Sequence, residues 1–131
     1  MGVVHRFIGS EGRFDWEGVQ EKEGLDGPGV VGVSGKILVG PQEGAPNFRI
    51  RYFRIEPGGH SSLERHPHDH GVFVLHGRGL ARMGENVFEV GPRDVVYVPG
   101  GELHQFSALD EPFGFLCVVP PKHNEVTDGK R

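Results

Sequence analysis

The chain has 131 residues, a formal net charge of −4 at neutral pH and a single cysteine, Cys117. That length suits one ordinary domain, which buries about two-thirds of the surface its unfolded chain exposes. The negative charge argues against a phosphate backbone as partner, no apolar run nears the ~18–20 residues of a bilayer span, and one cysteine closes no internal disulfide.

The opening "MGVVHRFIGSEGRF" lacks an apolar core of signal-peptide length, which is read as a cytoplasmic location. Residues 1–29 are polar and glycine-rich around "VVHRFI" and Trp16, and predict an irregular arm with room for one short strand. From Val30 the pattern turns apolar. "VVGVSGKILVG" predicts one kinked strand or a pair of short ones, and "PQEGAP" a loop after it. "NFRIRYFRI" alternates apolar and basic residues from Phe48 to Tyr52 and slips by one at Phe53, the pattern of a bulged, half-buried strand.

"EPGGHSS" is expected to break that strand, and "GVFVLHGRGLARM", Gly71 to Met83, to supply the next before the turn "GEN" and the strand "VFEV". "GPRDVVYVPGGELHQFSAL" predicts two short strands around Pro-Gly-Gly, and "FGFLCVV" one more ahead of "PPKHNEVTDGKR", a frayed tail over 120–131. No segment carries a helical period. About eight to ten short strands between glycines and prolines predict an all-β fold, a jelly roll or small β-barrel over residues 30–119, with no second domain.

"ERHPHDHGVFVLHG" places four of the eight histidines in residues 64–77. Counting on from Gly58, five residues lead to Glu64, one more gives His66, three more His70 and six more Gly77. Downstream, Pro99, Gly101 and His104 keep a second fixed spacing between Arg93 and Ala108. In these residues the chain resembles the cupin superfamily of small jelly-roll barrels. That family's first motif runs glycine, five residues, histidine, one residue, histidine, three or four residues, glutamate, six residues, glycine. Its second runs glycine, five residues, proline, one residue, glycine, two residues, histidine, three residues, asparagine.

Registers that begin at His66 or His68 put His60 or Ser62 where the leading glycine belongs, so only the register through Glu64 keeps both glycines. It exchanges the family's carboxylate from third ligand to first. Arg93 replaces the second motif's glycine and Ala108 its asparagine, departures that touch turn geometry and not ligation.

The resemblance implies one divalent transition metal held by Glu64, His66, His70 and His104. On a strand, Glu64 and His66 would share a face; Pro67 and Asp69 would turn the chain so that His70 returns, while His104 arrives from a distant strand. Manganese or iron is the family's first expectation, and nickel, zinc or copper suit the same donors. If Glu64 faces solvent, a three-histidine site remains. Taken alone, "HPHDH" fits equally well a solvated, titrating surface.

His68 stands out of register and is read as rim or solvent-facing. Phe106 shares a face with His104, and Phe115 with Cys117; core packing and pocket lining both fit these three. Arg51 is read either as a solvated edge or as an inward cation for a substrate carboxylate. His5, His60, His76 and His123 are read as surface.

Four protein ligands on an octahedral ion leave two positions for a small molecule, a vacancy compatible with an enzyme. The resemblance favours a dioxygenase-like oxidoreductase acting on a small organic substrate. A Lewis-acid isomerase or lyase and a non-catalytic ligand-binding or sensing module are the alternatives. Family members commonly pair through sheet edges, so a homodimer is expected, with "VVGVSGKILV" as the strand on offer.

Overall fold

The structure is a computed structural model and describes residues 2–121. Its strands are β1 (Gln20–Glu21), β2 (Val31–Val39), β3 (Arg49–His60), β4 (His70–His76), β5 (Gly79–Met83), β6 (Asn86–Val90), β7 (Val95–Val98), β8 (His104–Ala108) and β9 (Phe113–Val119). They pair antiparallel in the order β6-β5-β8-β3-β9-β4-β7, with β2 on β3 and β1 on β2. The one helical element among the described residues is a 3₁₀ turn, Pro41–Glu43, within the expected loop. The fold is the all-β, curled-sheet jelly roll that the strand-length apolar runs predict.

Alternation decides which side chains enter the concave face. Ile55 lies opposite Phe113, Phe53 opposite Phe115 and Arg51 opposite Cys117; Val72 and Val74 of β4 then meet Cys117 and Phe115 from the other side. Ala81 and Phe106 face each other across β5 and β8. With Val96 and Val98 these residues form one continuous apolar core, in which Ile55, Val72, Val74, Val98 and Phe113 are almost wholly buried. Phe106, Phe115 and Cys117 are therefore core residues, and the question of a pocket reduces to the end of the core they share with the histidines.

The slip at Phe53 is not a bulge. Strand β3 pairs with β9 without interruption from Arg49 to Ile55, and its irregularities lie against β2, between Val31 and Val33 and between Ile37 and Val39. Tyr52 and Phe53 are both apolar because both faces of β3 are covered, Phe53 by the core and Tyr52 by the N-terminal arm. Tyr52 stacks on Phe14 with ring centroids 6.1 Å apart and meets the edge of Trp16 at 5.3 Å. The arm contributes β1 and the isolated bridges Phe7–Trp16 and Ser10–Arg13.

Two further expectations are corrected. "EPGGHSS" does not end β3: the strand runs on to His60, with Gly58 at φ 77° and His60 paired to both Val31 and Ser107. A left-handed residue absorbs the irregularity that Pro57 and the glycines introduce. Gly71 to Met83 is two strands, separated at Gly77, where φ is 75° and a Cβ would lie 2.0 Å from the Pro112 carbonyl oxygen. The tail from residue 122, with His123, lies outside the described residues.

Candidate metal centre

Three of the four expected ligands converge. His66, His70 and His104 each offer a ring nitrogen, and these atoms all lie within 4.8 Å of one another. The ring centroids stand 5.3 Å apart for His66–His70, 4.9 Å for His66–His104 and 4.7 Å for His70–His104. His70 opens β4 opposite Val98, and His104 opens β8 opposite Met83, so both rings hang into one end of the barrel. Both are buried, while His66 is partly exposed and marks the mouth.

Glu64 and His66 do not sit on a strand; residues 61–69 form an irregular segment held by hydrogen bonds to the second motif. Glu64 and His104 exchange both backbone bonds, at 3.0 and 2.9 Å, and the Gly101 amide donates to the His66 carbonyl at 2.6 Å. Sharing a strand face is thus not what brings Glu64 and His66 together. The pairing of the two motifs' backbones does so, because Pro67 and the Gly100–Gly101 turn leave this stretch no regular ladder.

The hydrogen-bond partners of the rings decide which nitrogens a cation could use. The Nδ1–H of His104 donates to the Glu102 carbonyl at 2.9 Å, which leaves Nε2 with its lone pair. His70 Nδ1 lies 3.3 Å from Cys117 Sγ, and its Nε2 is buried with no protein partner. Burial, reinforced by the nearby His104, His66, Arg51 and His68, pushes the His70 pKa down to about 3. Burial also lowers His66, against the opposing pull of Glu64. A buried imidazole with an unpartnered nitrogen, as at His70, fits a divalent transition ion, whereas a core-packing histidine normally has both nitrogens satisfied.

Glu64 stands beside this cluster. Its Oε1 lies 2.5 Å from His66 Nε2, and its Oε2 accepts from the Ser62 hydroxyl. His68 stacks on His66, with centroids 4.6 Å apart and planes 8° from parallel, on the open side of the site. Its neighbour Asp69 accepts from the Tyr97 hydroxyl at 2.8 Å. Arg51 is half-buried on the core side of β3: its Nη2 donates to Cys117 Sγ at 3.3 Å and the guanidinium lies 5.0 Å from the Phe53 ring centroid.

His76, read as surface, is buried instead, with Nδ1 3.1 Å from the Pro112 carbonyl and Nε2 2.6 Å from the Tyr52 hydroxyl. It belongs to the opposite sheet face and, among the described residues, to no metal cluster. The position before a tight turn looked solvated in the sequence because the arm that covers it is distant in the chain. His5 has a local partner of its own, Glu43, at 2.8 Å.

A β-barrel with three imidazoles gathered at one end defines the class to which this protein is compared. Residues 51–119 match the family profile described as a cupin domain, and the chain belongs to that family. It is 56% identical over 71 residues to a 1-methylthio-D-xylulose 5-phosphate methylsulfurylase of Rhodospirillum rubrum, a match covering 53% of this chain and 46% of the relative. The matched segment thus spans less than half the length of that relative.

Among solved structures, a cupin-2 domain protein of Rhodospirillum rubrum superposes with a TM-score of 0.75 at 40% identity, covering 87% of this chain and 77% of the other. A polyketide cyclase of Streptomyces resistomycificus superposes with a TM-score of 0.74 at 26% identity, covering 92% and 79%. No helix among the described residues is long and apolar enough to cross a membrane.

Proposed function

We propose that this protein is a metal-dependent cupin enzyme in which His66, His70 and His104, with Glu64 as the fourth donor, hold one divalent transition ion that acts on a small oxygen-bearing organic substrate. The observation that carries the reading is the convergence of three imidazole nitrogens at one end of the core, one of them, His70 Nε2, buried with no other partner. Glu64 is included because its carboxylate already lies against the His66 nitrogen.

When bound, such an ion supplies Lewis acidity, polarising a carbonyl or hydroxyl oxygen of the substrate. The chain's own groups do the rest. Phe106 and Phe115 close the inner end of the site, with ring centroids 4.9 Å apart, and keep bulk water from the reacting atoms. His68, partly exposed and stacked on His66, is the imidazole free to carry a proton between the site and solvent.

Among the chemistries the family resemblance left open, the Lewis-acid reading is preferred. Two of the three similar proteins named above are a methylsulfurylase and a cyclase, and neither of those names describes dioxygen insertion. Manganese, zinc or nickel suits that role as well as iron. Turnover of candidate small hydroxy-carbonyl compounds, followed by NMR with and without oxygen, tests it: equal rates under both atmospheres are expected. Dioxygen uptake in step with product would establish the oxidative reading in its place.

A homodimer remains part of this proposal, with a different face from the one first expected. Strand β2 is paired to β3 and partly to β1. The outer face of β7-β4-β9 instead presents Phe73, Val95, Tyr97 and Val118 side by side, all exposed, with β7 at the end of the sheet. An apolar patch of that kind beside an unpaired edge supports self-association.

A further inference from the structure

Arginine is charged at every accessible pH, and its guanidinium is costly to bury without a matching anion. Arg54, on the opposite face of β3 beneath the N-terminal arm, pairs with Glu56 and donates to the Gly12 carbonyl. Arg51 has no such partner: among the described residues, no carboxylate stands within ion-pairing distance of it. Its Nε is buried without a hydrogen bond, and one terminal nitrogen is spent on Cys117 Sγ, a weak acceptor, at 3.3 Å.

That unmatched cation adjoins the imidazole cluster. The same Cys117 sulfur lies 3.3 Å from His70 Nδ1, so Arg51 and His70 share a neighbour. The positive charge of Arg51 also contributes to the lowered pKa values of His66, His68 and His70, which places its field across the whole site. Cation–π contact with Phe53 fixes the guanidinium but neutralises nothing. With a divalent ion held by the histidines, this end of the barrel would contain two positive centres and one nearby carboxylate, Glu64.

We propose that the site recognises an oxyanion-bearing substrate, whose carboxylate or phosphate-ester group is received by Arg51 while another oxygen of the same molecule faces His66, His70 and His104. The ion half of this arrangement rests on the function proposed above; the Arg51 half does not. The planar fork of arginine offers parallel donors to either oxyanion, and the sulfur contact is weak enough for an oxygen acceptor to displace. A purely structural arginine, bracing Phe53 and Cys117, would leave anion binding unchanged on replacement.

The test is calorimetric titration of manganese-loaded protein, at low salt, with glycolate and with methyl phosphate, against ethylene glycol as the neutral control. One or both anions are expected to bind one per chain, and ethylene glycol not to bind. Tighter glycolate binding identifies a carboxylate substrate, and tighter methyl phosphate binding a phosphate ester. Arg51→Met is expected to weaken the bound anion at least about tenfold with manganese content unchanged, and Arg51→Lys to weaken it less.

Wild-type protein that binds neither anion, or equal affinity in wild type and Arg51→Met, overturns the proposal. If Arg51→Met loses its circular dichroism spectrum, Arg51→Lys carries the comparison, and unchanged affinity there counts against the two-donor contact. Failure to bind manganese counts against the metal reading alone, and the same titrations on metal-free protein then judge Arg51 by itself.

Discussion

His70 is defined by what its two nitrogens meet: a sulfur beside Nδ1 and no hydrogen-bond partner for the buried Nε2. The spacing of the first motif singles out this residue, but not the surroundings that make it a donor, because Cys117 is 47 residues away in sequence. The same limit applies to Arg51, whose inward orientation depends on the pairing of β3 with β9. Removing a ligand should cost far more than removing a neighbour. Substituting His70 or His104 with alanine is expected to weaken metal binding at least about a hundredfold, and Glu64→Ala about tenfold or more, whereas His68→Ala should change it by less than about threefold. Competition with a fluorescent chelator measures all four.

The buried Tyr52–His76 pair gives a second prediction at this scale. Burial pushes the Tyr52 pKa up to about 12, so the hydroxyl ionises more easily in the unfolded chain, where tyrosine titrates near ~10. Its contribution to stability is therefore complete below pH ~10 and is lost as the pH rises toward 12. Urea unfolding between pH 8 and 11.5 should show a fall above pH ~10 that Tyr52→Phe lacks. That variant should also cost about 1–2 kcal/mol at neutral pH, since His76 Nε2 loses its donor.

At the level of elements, strand-length apolar runs were sufficient to locate β2, β3 and β6 to β9, because one-sided burial writes itself into alternation. They were insufficient where a strand is covered on both faces, as at Tyr52–Phe53, or where a left-handed glycine either carries a strand onward, as at Gly58, or divides it, as at Gly77. Composition alone does not distinguish those two uses. Gly77→Ala is expected to cost about 2 kcal/mol or more, because its φ of 75° is unfavourable for alanine and the Pro112 carbonyl occupies the space.

Arg93 shows the opposite case. It stands where the second motif carries glycine, and it adopts φ 75°, the sole described non-glycine residue at positive φ. The backbone has kept the turn while the side chain has changed. Its amide donates to the Val74 carbonyl at 2.8 Å, which holds the turn against β4. Arg93→Gly should therefore stabilise the protein, by about 0.5–1 kcal/mol once the greater freedom of glycine in the unfolded chain is subtracted. A thermal melt that moves downward would show that the arginine side chain contributes more than the strain removes.

For the molecule as a whole, the jelly-roll fold and the positions of His66, His70 and His104 were legible because two motifs with fixed glycines and prolines imply one barrel. The covering of its outer surface was not legible. Part of that surface is closed by Phe14 and Trp16 of the arm over Tyr52 and His76, and part is left bare at Phe73, Val95, Tyr97 and Val118. Light scattering at micromolar concentration is expected to give a dimer that Tyr97→Glu, alone or with Val95→Glu, converts to monomer without loss of β-structure. A wild-type monomer would remove the dimer and leave the site untouched.

The account as a whole depends on a cation joining groups from the irregular segment before β4, the start of β4 and the start of β8. Elemental analysis of untagged protein, reconstituted with manganese or zinc and freed of excess, measures this directly. About one equivalent per chain is predicted for the wild type and almost none for the His70→Ala, His104→Ala double variant. Less than about a tenth of an equivalent in the wild type, or equal loading in the two proteins, would contradict it.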